Sequence, residues 1–429
     1  MNDKQYPVQI AYTNSAKVYS PNFQTSSGYA DAWKSVLQKA HSHAVVTCMC
    51  AGSGNRRLAI RYLSGGDKFT LSKYPHTGPE HSLRCVFYSQ DHKKSGLGAY
   101  SVGVVEETSD GDLKIRLKMG LRKKGPADGE QDEEATNLNE TKISASPNGG
   151  RSKTAMTLLG LLHLLWSESR LNTWAPTMSG KRNLGVIHHV LNDTAAKVLT
   201  SRLRLAEALV VATSSANANN EKANDTKVTN AIKHGRRLVV VAPLAAWTSE
   251  RENCVTNSLS IRGFNGVPKL IVDPELWADV KKRFYMVISG WRTGLQVVAI
   301  AQTDTPSSQS VAHVLDIALM LVSKEWVPVE SGYEAKIEAK LRDESRKFLK
   351  PLRFDSTEEL VFPDFWLTDL GTQQEFPMEV FGRSNPEYLA RKQVKTDHYT
   401  NEYGPSGWWW WNAVADPDGQ NIPAFPPAI

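Results

Sequence analysis

Residues able to do chemistry concentrate in two places along this chain. The first is "HAVVTCMC" with "HSLRC": Cys48, Cys50, His81 and Cys85 bring three of the four cysteines and a histidine to the two sides of one short hairpin. A Cys₃His set matches the preference of zinc for thiolates and imidazole in a closed tetrahedron. Four protein ligands leave no position for water, so the expected Zn²⁺ site is structural and holds a small β module together in a reducing compartment. His76 is the competing histidine, set apart by the turn at Gly78-Pro79. Cys254 stands alone in "RENCVTN" and reads as an inert thiol. The second place is a pair of acids in apolar surroundings, Asp364 in "LVFPDFWLTD" and Glu379 in "FPMEVFG". Two carboxylates held together in an apolar sheet repel each other unless a cation lies between them. Hard oxygen ligands with room for water suit Mg²⁺ or Mn²⁺.

Positioning that pair requires particular elements. Residues 331–350 read as an amphipathic helix, with Tyr333, Ile337, Leu341 and Phe348 near helical spacing and Ser331 as N-cap. Residues 351–354, 360–369 and 376–382 read as strands. Residues 385–404 read as a second helix, with Pro386 near its start and Gly404 at its end, and 408–414 as a closing strand. The expected order is αβββαβ. On the second helix Tyr388, Lys392, Lys395 and Tyr399 fall at intervals of four, three and four, which places them on one stripe. Such a stripe either packs on the sheet with its ammonium groups at the acids, or is a helix face whose lysines reach water.

Over residues 326–429 this set resembles the PD-(D/E)XK, or restriction-endonuclease-like, nuclease core. The resemblance implies that Asp364 is the aspartate of the PD motif and Glu379 the acid of (D/E)XK. It makes Glu334 the accessory acid of the first helix. The motif lysine is absent, because Phe381 follows Glu379-Val380. Lysines carried on the following helix are known in the superfamily, so Lys395 or Lys392 is the expected substitute, with Arg391 and Tyr388 as substrate contacts. The implied activity is hydrolysis of phosphodiesters in DNA. Asp364, Glu379 and the Val380 carbonyl would hold Mg²⁺ or Mn²⁺, and the lysine would orient water. The four tryptophans at 408–411 alternate across a strand; core packing is expected for them, with base stacking as the alternative for two. Taken whole, the chain also resembles an uncharacterised bacterial family of plasmids and integrative elements recorded only as a domain of unknown function. That implies mobile-element DNA processing or defence as a setting. Two other functions fit the same residues: a nuclease-like nucleic-acid-binding protein without catalysis, and an assembly factor of a mobile element.

The rest of the chain sets the frame. Its 429 residues, 41% hydrophobic and 22% charged, suffice for several cored domains of ordinary soluble type. A net charge of +6 is compatible with a polyanionic partner. The expected class is a multidomain α+β or α/β protein with four parts. These are a β-rich zinc module at 1–125, a polar linker at 126–150, a mixed α/β region at 151–325 and the nuclease-like domain at 326–429. Hairpins are expected at 57–63 with 68–74 and at 101–106 with 113–119, the latter presenting Lys114, Arg116 and Lys118 on one face. "GGRSKT" lacks the glycines of a phosphate-binding loop, which excludes an ATP site there. His188 and His189 are adjacent on a helix and cannot share a face, so with Asp193 they read as structural or surface residues. "MNDKQYPVQIAY" lacks the layout of a signal peptide, and "LLGLLHLLW" is too short to span a bilayer. A cytoplasmic protein is therefore expected, with no membrane partner; that it is bacterial is what the whole-chain resemblance implies.

Overall fold

The computed structural model describes the chain apart from residues 1–4, 64–67, 75–76, 83–84, 90–94, 109–111, 123–153, 202, 357–361, 371–375 and 429. The expected linker, the turn at 64–67, His76 and most of "GGRSKT" lie outside the described residues. Two compact units form: Met1–Ser95 with Val105–Lys114, and Gly96–Val104 with Ile115–Ile429.

The first unit is a five-stranded antiparallel sheet in the order Ser15–Tyr19, Val8–Tyr12, Val45–Cys48, Arg57–Leu63, Lys68–Lys73. Val8 and Ile10 alternate with Gln9, so the period of two sends both apolar side chains into the core. There they meet Leu37 and Ala40 of the Ala30–Ala40 helix, together with Val46 and Leu58. The first expected hairpin forms, with Leu63 opposite Lys68. The second has shorter strands than expected, Val105–Glu107 and Leu113–Ile115. Lys114, Arg116 and Lys118 are exposed while Leu113 and Ile115 are buried, as the alternation requires.

Two further sheets lie in the second unit. One runs Leu209–Val211, Val239–Pro243, Gln296–Thr303, Val311–Val322, Lys269–Ile271, parallel at both ends and antiparallel between. Every residue of Val239–Pro243 is buried, which explains its unbroken apolar run. Helices Pro274–Arg283 and Tyr285–Arg292 add Trp277, Val280, Ile288 and Trp291 to this core. Helix Leu158–Glu168 buries eight of its eleven residues and is apolar nearly all round, as an interior helix must be.

The other sheet has the order Trp409–Asn412, Phe376–Phe381, Phe365–Leu367, Phe348–Leu349, Thr173–Trp174. Along the chain its elements are helix Gly332–Asp343, three antiparallel strands, helix Pro386–Tyr403, and a last strand parallel to Phe376–Phe381. The order is the one expected, but bounds differ. The first helix stops at Asp343, not 350, because Ser345 takes the left-handed conformation (φ 57°) after Asp343-Glu344. Phe348 therefore reaches the core from a strand, and residues 351–354 join no ladder. The fifth strand, Thr173–Trp174, comes from the 151–325 region, so the sheet draws on residues beyond 326–429.

Candidate functional site

Cys48 closes its strand and Cys50 follows in the loop. Cys48 Sγ lies 3.6 Å from Cys85 Sγ, and His81 Nδ1 lies 3.6 Å from both Cys50 Sγ and Cys85 Sγ. All four ligand atoms are buried and within 4.8 Å of one another. A zinc tetrahedron with ordinary Zn–S and Zn–N bonds has edges of about 3.6–3.8 Å. The Ser82 N–H donates to Cys50 Sγ at 3.4 Å and the Phe87 N–H to Cys85 Sγ at 3.5 Å. Such donors favour thiolates. The surrounding loops are cross-braced, since Glu80 Oε2 accepts the N–H groups of Asn55 (2.8 Å) and Arg56 (3.3 Å). At Gly52 a Cβ would fall 2.0 Å from the Glu80 carbonyl, so only glycine permits this approach. The quartet could hold a metal such as zinc.

The second cluster lies on the C-terminal sheet. Glu379, 1% exposed, sits within Phe376–Phe381 on the face covered by the Pro386–Tyr403 helix. Lys395 Nζ donates to Glu379 Oε1 at 2.8 Å and Oε2 at 2.9 Å, and to the Phe362 carbonyl at 3.0 Å. The Tyr399 hydroxyl donates to Glu379 Oε1 at 2.9 Å. Asp364 precedes the neighbouring strand. Its N–H donates to the Met378 carbonyl at 2.9 Å, and its Oδ2 accepts the Val380 N–H at 2.7 Å. The two acids are thus fixed on either side of one peptide. Burial pushes Glu379 up to about 7; Lys395 opposes this, and the Asp364 charge adds to it.

A second lysine serves the other side of Asp364. Lys350 Nζ is 2.9 Å from Glu334 Oε2, 3.6 Å from Glu330 Oε1 and 3.9 Å from Asp364 Oδ1, with 1% of the side chain exposed. Burial works against this ammonium, but the three carboxylates overcome it and hold its pKa above the usual lysine value. Ser331 caps the Gly332–Asp343 helix by accepting the Glu334 N–H at 3.1 Å, and Glu334 reaches back to the Glu330 N–H at 3.0 Å. Burial raises Glu334 to about 7, against the pull of Lys350. Arg353 Nε donates to both oxygens of Glu330, at 3.1 and 3.2 Å.

The stripe on the last helix divides its labour. Lys395 reaches the acid, whereas Lys392 lies over the rings of Phe381 (4.6 Å) and Trp410 (5.4 Å). The Tyr388 hydroxyl accepts the Gly382 N–H at 3.3 Å, and Arg391 lies over the Tyr388 ring at 5.9 Å. Phe381, at the position of the motif lysine, is buried with Tyr399 and Trp408. Core packing holds for Trp408, Trp409 and Trp411, but Trp410 is 45% exposed. Lys350 falls at the end of the expected helix and Glu330 and Arg353 lie outside it, so no spacing rule ties these three residues to Asp364. A strand at "FL" followed by a lysine and a proline was the available signal. His188 is buried beside Asn192, His189 pairs with Asp193 at 3.4 Å on the surface, and Cys254 donates to the Ser258 carbonyl at 3.4 Å.

Among the described residues no helix is long and apolar enough to cross a membrane. No curated protein and no solved structure matches the chain. A family model described as "Protein of unknown function (DUF1173)" matches residues 22–413, a span that contains both the cysteine quartet and the acid pair. The chain belongs to the DUF1173 family.

Proposed function

We propose that this protein is a metal-dependent phosphodiesterase acting on DNA, built on a PD-(D/E)XK-like core, with zinc in the cysteine quartet as a structural metal. The observation that carries the proposal is Lys395 laid across Glu379, beside an aspartate anchored to the same strand. On this reading a lysine from the following helix takes the part of the missing motif lysine. The αβββαβ order and the mixed sheet support the same reading.

The donor set suits a hard divalent cation. Glu379, Asp364 and the Val380 carbonyl present oxygens, and a bound cation would take over the Glu379 charge that Lys395 and Tyr399 now hold, releasing the Lys395 ammonium towards water. When bound, Mg²⁺ or Mn²⁺ would supply an acidified water and neutralise charge on the phosphate. The chain's own groups supply the rest. Lys395 orients the attacking water and stabilises its developing hydroxide. Tyr399 fixes the Glu379 rotamer, and Lys350 with Glu334 holds the flank of Asp364.

The test is Mn²⁺ binding to zinc-loaded protein, with far-UV circular dichroism as the fold control. Asp364→Asn should weaken Mn²⁺ binding at least tenfold in a folded protein. Unchanged Mn²⁺ affinity would reduce the pair to a structural feature.

A further inference from the structure

Trp410 is the exposed member of an otherwise buried aromatic group, and its position bears on the substrate. In the parallel pairing of the last two strands Trp410 stands opposite Glu379, so both side chains leave the sheet on one face. Trp409–Asn412 is the edge strand of its sheet, which leaves the indole open on that flank. The ring is held rather than loose. Trp408 stacks beside it at 6.4 Å and 29°, Phe381 abuts it at 6.1 Å, and Lys392 lies over it at 5.4 Å.

Those contacts leave Trp410 45% exposed, although strand residues on both sides of it are buried. A rigid, partly open indole with a lysine on the same rings has two complementary features. The aromatic face accepts a nucleobase, and the ammonium beside it favours the phosphate that follows. Stacking of this kind needs a base that is out of a duplex.

We propose that Trp410, Phe381 and Lys392 form a stacking platform for an unpaired nucleobase, so that the strand delivered to Glu379 and Asp364 is single-stranded nucleic acid. The inference rests on the phosphodiesterase reading for what happens after binding, but the binding itself does not depend on catalysis. Trp410 supplies the surface, Phe381 its support, and Lys392 the charge. This also gives Lys392 a role distinct from that of Lys395, and gives Phe381 a reason to occupy the place of the motif lysine.

The test is equilibrium binding of the full-length protein to a fluorescein-labelled 20-nucleotide oligothymidine and to a 20-base-pair duplex. Anisotropy would be read in EDTA so that no cleavage intervenes. Trp410→Ala should weaken oligothymidine binding about 5- to 150-fold, the range expected for loss of one stacked base. Trp410→Phe should restore most of it, and duplex binding should change less than twofold. Equal affinity of wild type and Trp410→Ala for the oligothymidine would overturn the proposal, as would equal losses on both substrates or no binding by wild type. If the selective loss appears in a protein that cleaves nothing with Mn²⁺, the platform stands and the hydrolytic reading fails.

Discussion

At the scale of single residues, the two lysines of the last helix carry different predictions. Lys395 touches Glu379, and Lys392 touches only rings among its described contacts. Lys395→Ala should therefore lower the single-turnover cleavage rate at saturating Mn²⁺ by about 100-fold or more, the usual weight of a positioned proton-transfer group. Lys392→Ala should leave that rate within a few-fold and raise the apparent substrate Kd. Equal effects on rate from both variants would show that the division is wrong. Spacing alone put both lysines on one stripe. It could not rank them, because a stripe four residues wide spans two different neighbours in the sheet. Lys350 was hidden for the opposite reason. Its charge made it look like the solvent-facing end of a helix, although three acids surround it in the interior.

At the scale of elements, the acids depend on how two segments are tied down. The Ser331 cap begins the helix that carries Glu334, and Ser331→Ala should cost about 1 kcal/mol in chemical unfolding. Segment 350–354 is fixed by His163 of the buried helix, whose Nδ1 accepts the Phe354 N–H at 2.9 Å. Burial depresses the His163 pKa from 6.5 to about 4. The unfolded chain therefore binds the proton more readily between those values. The stabilisation is complete above pH 6.5 and is lost as pH falls towards 4, on the order of 3 kcal/mol. Glu334 and Glu379, raised to about 7, titrate in the same window with the opposite sign, so the His163 contribution is read as the difference between wild type and His163→Gln in urea unfolding from pH 7 to 4; identical pH dependence of the two would remove His163 as a cause. Both helices and the strands around 365–367, 376–381 and 409–412 were legible from periodicity and caps; the strand Phe348–Leu349 was not. The helix end at Asp343 was not, because Ser345 adopts a left-handed backbone conformation that no residue type announces as glycine does.

At the scale of the whole molecule, the chain forms two compact units, with the cysteine quartet in one and the acid pair in the other. Zinc in the quartet would be linked to folding of the first unit. Chelation of bound zinc should lower the calorimetric unfolding transition of the first unit, and Cys85→Ser should do the same without chelator. Protein that is fully folded and zinc-free after purification in zinc-supplemented medium would exclude the metal. The quartet was visible in the sequence because soft ligands crowd one hairpin. The extent of the C-terminal sheet was not, since its fifth strand, Thr173–Trp174, is only two residues long and far away in sequence.

The most direct measurement is cleavage of single-stranded and duplex DNA by purified wild type, Asp364→Asn and Glu379→Gln, each in Mn²⁺ and in EDTA. Cleavage by wild type in Mn²⁺ alone, absent from both folded variants, is the result expected of an acid pair that holds a catalytic cation. Cleavage that persists in both variants, or none by wild type in any condition, would contradict it.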